Sequence, residues 1–155
     1  MSAAVETMDC VLIEFSSARL LLPANCILEV LPYAPVLGLE DAPPWVVGNL
    51  LWRATTVPLL SPDALWAGDD PQKIRYRRIL LLQAPGGNRR LPYYGLLSTD
   101  APHWFGIDRS EVEWADDAAE AQPLGVLGKA RIEGETVLIP NLDALEQELV
   151  RVLRR

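Results

Sequence analysis

Imidazole and thiol chemistry is nearly missing from this 155-residue chain, which has one histidine, His103, and two cysteines, Cys10 and Cys26. No Cys-x-x-Cys and no His-Glu-x-x-His occurs, so the ligand spacings of a zinc site are lacking. Two cysteines cannot staple a secreted scaffold, and both are expected as free thiols in apolar surroundings. Positive charge is also scarce: 14 Lys and Arg stand against 21 Asp and Glu, a formal charge of −7. Phosphate-rich partners need a positive field, so nucleic acid and anionic membrane surfaces are set aside as partners. Long apolar runs are absent. The greasiest region, Leu20 to Leu39, is broken by Pro23, Asn25, Glu29, Pro32 and Pro35, which rules out a spanning helix and direct membrane insertion. The opening MSAAVETMD has neither the basic start nor the apolar stretch of a signal peptide, so a cytoplasmic location is expected.

Half of the residues are apolar and 23% are charged, enough for a packed core. Thirteen prolines spread from Pro23 to Pro140 disfavour long helices and point to short strands between frequent turns. Three hairpins are readable. Cys10–Phe15 and Arg19–Leu22 flank Ser16-Ser17-Ala18. Ala130–Ile132 and Thr136–Ile139 flank Glu133-Gly134. Arg77–Gln83 and Leu91–Ser98 flank Pro85-Gly86-Gly87-Asn88. Val46–Leu50 and Trp52–Leu59 add strands around Leu51. Several of these are continuous apolar runs, which suit strands covered on both faces. The tail supports one clear helix: Leu142, Leu145, Leu149 and Val152 form an apolar stripe, and Asn141 or Asp143 can cap it. A short helix over Pro62–Trp66 and a single turn at Pro23–Cys26 are expected as well. Gly68–Lys73 and Ala115–Gln122 read as solvated loops, the second within an acidic stretch, Asp108–Glu120.

No catalytic constellation emerges. His103 lies near Ser98 and Asp100 in sequence, but no nucleophile-elbow motif surrounds any serine. Asp116-Asp117 lacks the alternating carboxylates and turn glycine of a calcium loop. Lys73, Arg75, Arg77 and Arg78 form a small basic run at a strand start, where charge also blocks unwanted pairing. Of the five tryptophans, Trp45, Trp52, Trp66, Trp104 and Trp114, most are expected in cores, and an exposed one would mark a contact surface. The residues therefore describe a mainly β domain, not an enzyme, with no metal and no cofactor expected.

One stretch adds more. Pro43–Leu60, PPWVVGNLLWRATTVPLL, resembles the central signature of the CheW-like family of chemotaxis coupling proteins. Gly48 matches the family glycine, Arg53 the arginine of its Asn-Leu-Arg-Gly-like turn, and Val57-Pro58 its Val-Pro. Cys10–Pro23 is similar to the opening hairpin, Cys26–Leu31 to the "V-x-E-V" region, and Val126–Leu145 to the closing hairpin and helix. The likeness runs over residues 8–150 and leaves residues 1–7 as a flexible N-terminus. Its departures are Ala54 in place of the turn glycine and Ser61 in place of an acidic residue. If that turn demands a positive φ, Ala54 should resist it. In this pattern the chain is similar to ChpC-type members of pilus-linked (twitching) systems.

The resemblance implies an all-β fold of two small five-stranded barrels sharing one apolar core, with a C-terminal helix. It implies a non-catalytic adaptor. Its partners would be a chemoreceptor cytoplasmic tip, docked between the barrels, the regulatory domain of a CheA-type histidine kinase, docked at barrel ends, and other CheW-like proteins. Arg53 is the first candidate contact, its guanidinium forking onto a partner's carboxylate or propping the turn as an internal bridge. Val30, Leu50 and Val57 are candidate groove-lining residues, with plain core packing as the alternative. The competing function is a small-ligand-binding or receptor-competing barrel that has lost kinase coupling, a reading motivated by Ala54 and Ser61.

Overall fold

The computed structural model of the protein describes residues 7–15, 18–84, 91–115 and 123–153. The strands in chain order are β1 (Thr7–Phe15), β2 (Ala18–Pro23), β3 (Ile27–Pro32), β4 (Val46–Trp52), β5 (Thr55–Leu60), β6 (Arg78–Gln83), β7 (Tyr93–Ser98), β8 (His103–Asp108), β9 (Val112–Trp114), β10 (Val126–Ile132) and β11 (Glu135–Pro140). The helices are α1 (Pro62–Ala67) and α2 (Leu142–Leu153). One sheet runs β8-β1-β2-β11-β10-β9 and the other β3-β6-β7-β5-β4. The second sheet is thus inserted in the sequence of the first. Neighbours pair antiparallel except β2 with β11 and β5 with β7, which are parallel and bring distant segments together.

The apolar runs explain why two sheets make one body. Alternate residues of a strand point to opposite faces. On one face of the first sheet, Cys10, Leu21, Ile107, Ala130 and Val137 pack together as that subdomain's own core. On one face of the second, Val57, Leu59, Ile79, Leu81 and Leu97 do the same around Tyr76. The opposite faces supply Val11, Ile13, Leu20, Leu22, Leu60, Leu80, Leu82 and Leu96 to a third cluster shared between the sheets. A strand such as β6, reading Ile-Leu-Leu-Leu, buries both faces and so shows no polar alternation.

Helix α2 closes the shared core with Leu145, Leu149 and Val152, while Leu142 packs against its edge. Asn141 is the cap: its Oδ1 accepts from the Ala144 N–H at 3.1 Å, and Asp143 sits in the first turn. Glu146 is buried beside this stripe, where Tyr94 donates its hydroxyl proton to Oε2 at 3.3 Å. Burial, reinforced by Glu146, pushes the Tyr94 phenol far up.

The expected mainly β architecture of two small subdomains with a shared core and a C-terminal helix is present. The first sheet carries a sixth strand because the three-residue β9 pairs with β10. The strand boundary expected at Leu51 shifts: β4 runs on through Trp52, and the chain reverses at Arg53-Ala54, inside the turn that the family resemblance implied. The Gly68–Lys73 loop contains a 3-10 turn, Pro71–Lys73, capped by Asp70, whose Oδ1 accepts from the Gln72 N–H at 3.0 Å. Thr7 already belongs to β1, because that strand reaches past β2 to pair with β8. The rest of the expected flexible N-terminus, the glycine loop at residues 85–88, most of the acidic loop and the Ser16-Ser17 connection lie outside the described residues.

Candidate partner-binding surface

The β4–β5 turn is the feature that sequence singled out, and its backbone is unusual. Trp52 pairs with Thr55, leaving a two-residue loop. Arg53 and Ala54 both have positive φ, 46° and 62°. This is the mirror-image turn whose twist matches a hairpin, normally built with Asn or Gly. The β10–β11 hairpin has the same kind of turn, with Glu133 and Gly134 at φ 51° and 79°. Ala54 therefore adopts the conformation it should resist, at a cost of about 1–2 kcal/mol relative to an unstrained residue. The flanking side chains hold the turn in place. Trp52 donates its indole N–H to Glu29 Oε2 at 3.2 Å, and its ring meets Tyr93 edge-to-face at 5.2 Å. The Arg53 guanidinium lies over the Trp52 ring, 4.6 Å from its centroid.

The internal-bridge alternative for Arg53 finds no support among the described residues: its contact is an aromatic face, not a carboxylate. Arg53 is exposed while its guanidinium rests on the Trp52 ring, a cation–π arrangement. Leu51, next to it, is 74% exposed. Alternation explains this residue, which the sequence reading did not single out. Leu50 packs against the second subdomain's core, so the following side chain must face outward.

The other expected contacts separate. Val30 is half-buried at the edge of the shared core, and Leu50 is half-buried against the second subdomain's core. Val57 has no exposed surface and sits inside that core. A side chain without accessible area cannot line a groove, so Val57 is a packing residue here. Its neighbour in the signature, Gly48, is needed for a close approach: a Cβ there would lie 2.3 Å from the Leu37 carbonyl oxygen. That carbonyl accepts from the Asn49 N–H at 3.0 Å, which fastens the proline-rich approach segment to β4.

Ser61, the second departure, is fully buried and caps α1. Its Oγ accepts from the Ala64 N–H at 3.1 Å and shares a hydrogen bond with the Tyr76 hydroxyl. Ser and Asp are both strong N-caps, so this exchange leaves the local geometry served. Burial is the main cause that pushes the Tyr76 phenol up to about 12, against the opposing Ser61 bond and with help from Asp63.

His103 and Ser98 do not form a reactive pair. Ser98 is 1% exposed, and its Oγ is engaged by the Asp100 backbone on both sides, donating to the carbonyl oxygen and accepting from the N–H. His103 is exposed on β8, an edge strand. Among the described residues no group of three or more His, Cys, Asp or Glu could hold a metal, and no helix is long and apolar enough to cross a membrane. Both cysteines are free thiols, pushed up chiefly by burial. Trp45, Trp52 and Trp66 are half-buried against the cores, whereas Trp104 and Trp114 are 55% and 61% exposed on the two edge strands of the first sheet.

A family model described as the CheW-like domain matches residues 9–149. No curated protein matches the chain. Among solved structures, the crystal structure of the scaffolding protein TtCheW from Thermoanaerobacter tengcongensis aligns with a TM-score of 0.71. It is 16% identical, over 88% of this chain and 86% of that one, so this likeness speaks for the fold.

Proposed function

The chain belongs to the CheW-like domain family, and we propose that it is a non-catalytic adaptor of bacterial chemosensory signalling. It works in the cytoplasm, without a cofactor, and links chemoreceptor cytoplasmic tips to the regulatory domain of a CheA-type histidine kinase. Other CheW-like proteins are further partners. The divergent turn supports an accessory role in a pilus-linked system that controls twitching motility. The relative TtCheW is described as a scaffolding protein, which agrees with this reading.

One observation carries the proposal: the β4–β5 tip displays Leu51 and Arg53 on a strained turn whose back is fixed by Trp52, Glu29 and Tyr93. Strain of this kind persists only where surrounding contacts over-determine it. An arginine stacked on a tryptophan is the composition of an interface anchor, since Arg and Trp are enriched at binding hot spots. An adaptor needs no reacting group. It shifts a population by binding one assembled state better, and about 1.4 kcal/mol of preference is tenfold. Ala54 keeps the positive φ and Ser61 keeps a helix cap, so neither departure marks a lost surface. This supports retained coupling over the alternative, a ligand-binding or receptor-competing barrel that has lost it.

The test is a titration of the kinase regulatory domain and of a receptor tip from the same organism with wild type and Arg53→Glu. Binding to at least one should weaken by about 2 kcal/mol or more while the circular dichroism spectrum stays unchanged. A folded variant with wild-type affinity for both would remove Arg53 from the interface.

A further inference from the structure

Independently of the adaptor reading, the first subsheet holds a cavity of about 680 Å³ that opens to solvent. We propose that it is a binding site for an uncharged, apolar small molecule. Its floor is the subdomain's own core: Cys10, Leu21 and Ile107 are all at most 8% exposed and all line it. Its mouth is formed by Trp114 and Leu127, which are 61% and 56% exposed. The volume lies within the range of small-molecule sites, about 300–1,000 Å³, and the mouth of a β-barrel is a recurrent place for them.

Two local devices shape the mouth. The β10 register with β11 shifts between Val126 and Gly128, and Leu127 is the residue left over. Such a bulge re-aims a side chain, here to the cavity rim. The next residue is Gly128, where a Cβ would come within 3.0 Å of the Trp114 ring. The indole therefore packs against the bare backbone of β10 beside the mouth, with more than half of its surface facing solvent. Both features leave apolar area exposed that ordinary strand geometry would have turned away.

The lining also selects the ligand. Among the described residues, Asp143 is the one charged residue at the site, and it lies at the rim in the first turn of α2. It disfavours anions. The Asn141 carboxamide oxygen is occupied by the Ala144 N–H. Burial and the neighbouring Asp9 push the Cys10 thiol up, so the floor presents a neutral sulfur. A ligand there gains from apolar contact and aromatic stacking and is offered no cation.

N-phenyl-1-naphthylamine, an uncharged fluorescent probe, tests this on the full chain. Its emission should rise to saturation at one equivalent. Leu127→Arg changes an exposed rim residue and should weaken the probe at least about tenfold, and Trp114→Ala should weaken it in the same direction. Amide shifts in a 15N-labelled sample should concentrate on Cys10, Leu21, Ile107 and Leu127. The proposal is overturned by an emission that never saturates, by equal affinity in both folded variants, or by shifts confined to the second sheet. It is overturned equally by nuclear Overhauser contacts from residues 116–122 to Cys10 or Ile107 in the free protein, which would mean that the chain fills its own cavity.

Discussion

Ala54→Gly should stabilise the protein, against the usual sign for glycine. Two terms compete. In the left-handed region a residue with a Cβ is disfavoured by about 1–2 kcal/mol, and Ala54 sits there at φ 62°. Glycine removes that strain but enlarges the unfolded ensemble, which costs about 0.4–1 kcal/mol. The difference leaves a gain of about 0–1.6 kcal/mol, centred on about 0.8, and a 155-residue domain should rise in Tm by about 2–4 °C for each kcal/mol. Ala54→Val should go the other way by at least about 1 kcal/mol, since a β-branched residue tolerates positive φ least. Gly38→Ala is the mirrored control. Nothing lies within 4 Å of its would-be Cβ and its φ is not left-handed, so it should gain about 0.4–1 kcal/mol. Urea titrations with a common m-value would compare all three. If Ala54→Gly lowers the midpoint and Ala54→Val leaves it alone, the turn is not left-handed and the strain argument fails.

Three further outcomes follow from the packing and from one titrating group. Gly48→Ala should cost about 1–3 kcal/mol and speed hydrogen exchange at the Asn49 amide, because the new methyl meets the Leu37 carbonyl. Leu149→Ala removes a fully buried side chain from the shared core and should lower stability by about 2–5 kcal/mol in urea. Tyr76 titrates near 10 when unfolded and at about 12 when folded, so the unfolded chain loses this proton first as pH rises. Its contribution is complete below pH 10 and disappears through pH 12. Urea midpoints between pH 9 and 12 should fall less steeply in Tyr76→Phe than in wild type.

Strands buried on both faces, such as β6, were legible because their residues must be apolar throughout, and the β10–β11 hairpin was legible from its turn glycine. β1, β2, β6, β7 and the β10–β11 hairpin are recognisable in the sequence to within a few residues. The edge strands were not. β8 reads HWFGID with three of its six residues exposed, and β9 has three residues, so neither offers a period to detect. β3 was visible as a family-like segment, without its status as a sheet edge. Residue types alone divided β4 from β5 at Leu51, because Arg53-Ala54 carries no turn residue, whereas the family resemblance put the turn at residues 51–54. Backbone pairing, not local propensity, forces the bend there. At the candidate surface, Arg53 was legible as a residue type at a turn. Its stacking on Trp52 and the exposure of Leu51 depend on which face β4 buries, and of the two readings open for Val57, groove lining and core packing, burial of both faces of β5 leaves packing.

The most direct measurement of the adaptor proposal is sedimentation of three purified components: this chain, a chemoreceptor cytoplasmic tip and the regulatory domain of a CheA-type kinase. The proposal predicts a ternary species in which receptor and kinase domain travel together only when the chain is present, and less of it with Arg53→Glu. A chain that sediments alone in every mixture, or that binds one component while leaving the other free, would contradict it.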